Sequence, residues 1–202
     1  MNECYMCRKP LTKESGKIKL DNALFCFACA PQWDQRRKQQ ALTAINENGP
    51  LVELFHISQA IMANPDNPNK NHLVGDIVFM EKGVCFVQLA DFEVKQQSGA
   101  MLFGMLGSMI DMSIYRKAKN KAAVSYDAQV KLLSPEGLLG MLMGAPRLIF
   151  VPKNEIQNIK YSRMSGMVID TGNKATKRVF TLEGGKKAYQ VFESQIRDYL
   201  GV

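Results

Sequence analysis

The sequence predicts an α+β fold in which a small cysteine-rich module is followed by an antiparallel β-domain closed by a C-terminal helix. Three observations carry this prediction. Four cysteines stand in two close pairs near the start, β-type stretches bounded by turn residues fill much of the rest, and the last stretch has apolar residues at helical spacing. A Met- and Gly-rich segment of helical character interrupts the β-domain.

Length and composition agree with one ordinary domain plus a small module. The 202 residues are 46% apolar. The formal net charge of +7 favours an acidic binding partner, but it is equally consistent with a basic surface that is simply solvated. The start lacks the pattern of a secretory signal, and no apolar run reaches the length of about 18 residues typical of a membrane-spanning helix. We therefore expect a cytoplasmic protein, in which paired cysteines are metal ligands more often than disulfides.

The cysteine pairs have the form C-x2-C, and 18 residues separate the first pair from the second. Two thiolates two residues apart face one ion from a single tight turn, and two such turns complete a tetrahedral zinc site. The predicted ligands of a structural Zn²⁺ are Cys4, Cys7, Cys26 and Cys29. Four thiolates leave no coordination position for a substrate water, which is why the ion is predicted to be structural. A redox dithiol and an iron–sulfur centre are the alternatives.

The residues around the cysteines have a regular order. The stretch Lys17–Phe25 predicts two short strands joined at Asp21 and Asn22, and Pro31 marks the start of a helix that ends before Gly49. With this order of knuckle, hairpin, second knuckle and helix, residues 1–48 resemble the treble-clef zinc fingers. The resemblance implies a structural, protein-binding or nucleic-acid-binding module.

A basic run follows the second cysteine pair. Arg36, Arg37 and Lys38 could meet phosphates, although acidic neighbours dilute the patch and Trp33 is almost the only aromatic residue nearby for base stacking. This run supports an alternative function for the chain, as a nucleic-acid-associated zinc-finger protein.

The segment between the two domains is apolar with mixed periodicity. We predict a second helix over Leu51–Ala63, within a helical linker at residues 49–72, and a loop over the Asn- and Pro-rich Asn64–Asn71. The second domain is then expected at residues 73–202.

Strand patterns dominate the second domain. Two strands are expected to turn at Glu81-Lys82-Gly83, two extended stretches flank Pro152, and two more follow in "GMVIDTG" and "KRVFTLEGG". A final amphipathic helix must cover this sheet. Its apolar positions are Ala188, Tyr189, Phe192, Ile196, Tyr199 and Leu200.

The strand "RLIFVP" runs into "KNEI", and two short strands and the closing helix follow. In this order, residues 73–90 and 147–202 resemble the bacterial GRAM-like or PH-like domains. The resemblance implies a PH-like antiparallel sheet or barrel closed by the C-terminal helix, and a binding function. Phosphoinositide-binding members carry several basic residues in the first strand–strand loop, where this chain has only Lys82, so no head-group site is predicted.

The insertion at about residues 91–146 departs from that family. Its helices are predicted to pack on each other or the sheet, to self-associate or hold a partner protein, or to enter a membrane surface shallowly. The candidate apolar surface comprises Met101, Met105, Met109 and Met112. The candidate contacts to anionic head groups are Arg116, Lys117, Lys119 and Lys121.

No catalytic motif stands out in the sequence. The histidines His56 and His72 lack partners at catalytic spacing, and Cys85 on a predicted strand is expected to be a buried apolar residue. We therefore expect a non-enzymatic adaptor that binds a protein partner or a membrane surface, in the cytoplasm or peripherally at the inner membrane face. A small-molecule carrier with its ligand between sheet and insertion is a third possibility.

Overall fold

The computed structural model describes residues 3–20, 23–47, 51–66, 71–93, 105–163, 165–173 and 177–201. The strands are β1 (Ile18–Leu20), β2 (Ala23–Phe25), β3 (Glu53–Ala63), β4 (Asn71–Met80), β5 (Gly83–Glu93), β6 (Arg147–Pro152), β7 (Asn158–Ser162), β8 (Gly166–Asp170) and β9 (Arg178–Phe180). The helices are α1 (Ala30–Asn46), α2 (Met105–Leu133), α3 (Gly137–Gly144) and α4 (Lys186–Leu200).

The strands form three antiparallel sheets. β1 and β2 make a hairpin, β3-β4-β5-β6 form a four-stranded sheet, and β7-β8-β9 form a three-stranded sheet. Reciprocal backbone hydrogen bonds of 2.8 and 2.7 Å between Ile61 and Thr181 link the two larger sheets. The predicted α+β class is confirmed, whereas the expectation of a barrel is wrong for the described residues, because the two sheets meet at this single bridge and do not close.

The four-stranded sheet is mainly apolar on both faces. Along β4 and β5 nearly every residue is buried, and side chains of alternating positions point to opposite faces. One face packs against α1, α2 and α3, and its buried residues include Val74, Val78, Cys85, Val87 and Leu89, with Leu42, Tyr126 and Leu142 from the helices. The other face packs against the three-stranded sheet and α4, and its buried residues include Ile77, Phe79, Val84 and Phe86, with Met167, Phe180 and Ile196 opposite.

Most of the predicted elements are present. The β1–β2 hairpin, the helix that begins near Pro31, the β4–β5 hairpin and the four later strands all form where the patterns place them. The closing helix α4 is confirmed as well, and it buries Tyr189, Ile196 and Tyr199 against the sheets.

The helix predicted over Leu51–Ala63 is wrong, because this segment forms β3 and pairs along β4. The register shifts between Ile57 and Ala60, and Gln59 has a φ of 54° at this bulge. A bulge inserts one extra residue and moves the following apolar residues to positions of the opposite parity. Ile57 and Ala60 therefore face the same core although they are three positions apart, and this odd spacing produced the mixed periodicity.

Residues 105–144 of the insertion are helical, as predicted, and from Tyr115 onward one side of this part packs on the sheet. Ala122, Tyr126 and Leu133 of α2 are buried in the core between helices and sheet. A 3-10 turn occupies Ser134–Glu136 between α2 and α3, and α3 begins at Gly137.

Helix α1 is fastened to the sheet by polar contacts as well as by apolar packing. Arg37 and Arg147 each form ion pairs with both Asp34 and Asp66, and the Asp66 side chain is only 6% exposed. The Lys82 ammonium donates to the carbonyl of Ile45 at 2.9 Å. These contacts connect residues far apart in sequence and hold α1 along β6.

Gly75 tests how tightly β4 and β5 approach each other. A Cβ at this position would lie 1.9 Å from the Val87 carbonyl oxygen, so Gly75→Ala requires the backbone of a central strand to move. We expect a loss of about 2–3 kcal/mol in the free energy of unfolding, measured by urea denaturation. The control is Gly184→Ala, whose Cβ meets nothing nearer than 3.5 Å and whose cost of about 1 kcal/mol comes from its positive φ. Equal losses in both variants would contradict this packing.

Candidate metal centre and binding groove

The four paired cysteines converge at one point between the β1–β2 hairpin and the start of α1. Their sulfur atoms all lie within 4.8 Å of one another, and the Sγ atoms of Cys7 and Cys26 are 4.0 Å apart. Tetrahedral zinc with Zn–S bonds of about 2.3 Å places its sulfurs about 3.8 Å apart. The cluster therefore fits a metal ion and is consistent with zinc.

Local backbone geometry builds each half of the cluster. In the first pair the amide of Arg8 donates to the carbonyl of Cys4 at 2.8 Å, and Arg8 itself has a φ of 60°. In the second pair the amides of Cys29 and Ala30 both donate to the carbonyl of Cys26 at 3.1 Å, and Ala30 begins α1. Both pairs are thus tight turns that direct two sulfurs to the same side.

Aromatic side chains cover the cluster. The rings of Phe25 and Trp33 stack with their centroids 5.4 Å apart, and Tyr5 meets both rings edge-on at 5.6 Å. Trp33 therefore packs within the module, and Phe25 covers one face of its ring. Cys4, Cys26 and Cys29 are buried beneath this layer.

Two thiols of the cluster have shifted pKa values. Burial raises the pKa of Cys4, but hydrogen bonds from the backbone of Cys7, Cys26 and Met6 outweigh it and bring the pKa down to about 6. Hydrogen bonding to Cys26 and burial raise the pKa of Cys29 to about 12. Thiolates this close repel one another, so a divalent cation is the partner that would let all four ionise.

The basic run of α1 is largely engaged within the chain. Arg37 pairs with Asp34 and Asp66, and the ammonium of Lys38 donates to the carbonyl of Met143. Arg36 is the exposed member of the three. The three basic residues therefore do not form one continuous phosphate-facing patch.

The candidate surface of the insertion is described only in part. Met101 lies outside the described residues, and Met105, Met109 and Met112 fall within the first turns of α2. Of the basic residues, Lys119 forms an ion pair with Glu183. Arg116, Lys117 and Lys121 are exposed on α2.

Contacts within the fold account for Cys85, His56 and His72. Cys85 is fully buried in the sheet, as predicted, and burial raises the pKa of its thiol to about 12. His56 is exposed and its Nδ1 donates a 2.6 Å hydrogen bond to the carboxylate of Glu53, while the His72 ring stacks on Phe92.

A groove runs between β7 and α4. It encloses about 430 Å³, and the backbone of β7 forms one wall. Its lining residues include Asn158, Lys160, Tyr161, Lys186, Gln190, Glu193 and Arg197. Sequence reasoning missed this groove, because β7 and α4 are separated in the chain and only the fold shows that β7 ends its sheet.

Comparison of the chain with protein-family models, curated proteins and solved structures gave no match. Within the described residues, every helix is too short or too polar to cross a membrane.

Substitution of one cluster cysteine tests the metal centre. We expect wild-type protein to carry about one zinc ion per chain and Cys26→Ser to lose most of it, because three thiolates hold the ion far less tightly than four. Metal content is measured by mass spectrometry of the elements in purified protein. Cys85→Ala is the matched control and retains its zinc. Equal zinc loss in both variants, or iron in place of zinc, would contradict the assignment.

Proposed function

We propose that the chain is a non-catalytic adaptor whose β-domain binds an extended segment of a partner protein. The groove between β7 and α4 carries this proposal, since it places an open strand edge beside charged side chains. In this proposal the second domain is PH-like, and the N-terminal module is a treble clef that stabilises it.

The order of elements supports both proposed folds. Cysteine pair, hairpin, second cysteine pair and helix follow one another in the N-terminal module. In the second domain, antiparallel strands arranged in a four-stranded and a three-stranded sheet lead into one amphipathic helix. These orders are what the two resemblances imply.

The edge of β7 supplies backbone groups for a partner. β7 is the outermost strand of its sheet and pairs with β8 alone among the described strands. The Tyr189 hydroxyl donates to the carbonyl of Ile159 at 3.3 Å, so α4 covers part of that edge and forms the second wall. An unpaired strand edge next to a groove binds extended peptides by adding them as a further strand.

Charge indicates what kind of peptide fits. Lys160 on β7 and Lys186 on α4 are exposed and line the groove, as does Arg197. Glu193 is the opposing charge, and it pairs with Arg197 at 3.1 Å. The surplus of positive charge favours an acidic segment, because complementary charge speeds association and excludes basic competitors.

The proposal is tested with peptides selected on the folded protein from a random displayed library. We expect extended acidic sequences to be enriched, and a synthetic copy to shift the amide signals of β7 and α4 in NMR spectra. The double substitution Lys160→Glu and Lys186→Glu should weaken its binding at least tenfold in fluorescence anisotropy, because two attractions become repulsions.

Lys187→Glu is the matched control, since Lys187 is exposed next to Lys186 but does not line the groove. We expect it to change the affinity less than twofold at physiological salt. Binding that both substitutions weaken equally, or NMR shifts away from β7 and α4, would reject the groove as the binding site.

A further inference from the structure

A second cavity, of about 340 Å³, lies between α1 and the outer edge of β6. Three consecutive residues of β6, Leu148, Ile149 and Phe150, all line it. Side chains of consecutive strand residues point to opposite faces, so a cavity that touches all three must lie at the strand's edge. β6 is the outermost strand of the four-stranded sheet, and its backbone therefore forms part of the wall.

Three guanidinium groups from three separate elements converge on this cavity. Arg37 comes from α1, Arg147 from β6 and Arg178 from β9. The carboxylates of Asp34 and Asp66 hold Arg37 and Arg147 in fixed positions, with the Nη1 atom of Arg147 2.9 Å from Asp66. The described residues that line the cavity include these three arginines and no carboxylate, while Asp34 and Asp66 neutralise part of the positive charge from outside the lining.

The rest of the wall is mainly apolar. Ala41 and Ala44 of α1, Leu148 and Phe150 of β6, and Pro65 all line the cavity. A cavity with an apolar wall and a few convergent polar groups is the usual form of a small-molecule site, and 340 Å³ falls within the range of about 300–1,000 Å³ for such sites.

We propose that this cavity binds a small amphiphilic anion, in which a carboxylate or phosphate head meets the arginines and a short apolar body lies against α1 and β6. Guanidinium groups match both heads, since they donate paired N–H groups to two oxygens of one anion. A bare inorganic anion would leave the apolar wall uncovered. This inference is independent of the peptide groove, which lies on β7 and α4.

The test titrates full-length, zinc-loaded protein with octanoate, octyl phosphate and 1-octanol, followed by amide NMR signals. The two anions are expected to shift the signals of Ala41, Ala44 and Leu148 and to saturate, and 1-octanol should bind at least tenfold more weakly. The better of the two anions identifies the head group. Equal binding of 1-octanol, or shifts scattered over the surface, would overturn the proposal.

Variants locate the site. Arg178→Gln removes the guanidinium group that β9 contributes, and it should weaken binding of the anions about tenfold while leaving binding of 1-octanol unchanged. Ala44→Trp should fill the cavity and abolish binding of all three compounds. Arg36→Gln removes an exposed charge from the same helix and should have no effect. Thermal melts check that each variant is folded, and equal weakening by Arg36→Gln and Arg178→Gln would overturn the assignment.

Discussion

The fold depends on one constraint, that the four-stranded sheet is mainly apolar on both faces. Almost every side chain of β4 and β5 is buried, so each face needs a covering layer. The three-stranded sheet and α4 cover one face, and α1, α2 and α3 cover the other. The helical insertion is thus a structural layer from Tyr115 onward, and the N-terminal module contributes Leu42 and Ile45 to the same core.

Both proposed binding sites lie where these layers end. The two larger sheets are joined at the Ile61–Thr181 bridge and do not close, which leaves β6 and β7 as outer strands. The arginine-lined cavity lies at the edge of β6 under α1, and the groove lies at the edge of β7 beside α4. The cysteine cluster sits at the N-terminus of α1, so a bound metal would also fix the helix that forms one cavity wall.

The sequence correctly predicted the features that depend on residues close together in the chain. The cysteine ligands, the turn at Glu81–Lys82 and the amphipathic α4 follow from spacing and turn chemistry, and the structure agrees with them. The prediction of a helix over Leu51–Ala63 was wrong, because a bulge at Gln59 changes which alternate residues of β3 face the same core. The arginine cluster could not be predicted, because Arg37, Arg147 and Arg178 meet only after three distant elements have packed.

Native-state hydrogen exchange tests most directly whether both faces of the four-stranded sheet must be covered. If the helical layer is required to cover the sheet, the amides of α2 near Ala122 and Tyr126 open with nearly the same free energy as those of β5 near Phe86, close to that of global unfolding. The account predicts this agreement. Exchange of the α2 amides at a free energy far below that of β5, in protein that otherwise stays folded, would show that the insertion is not a necessary layer and would contradict the account.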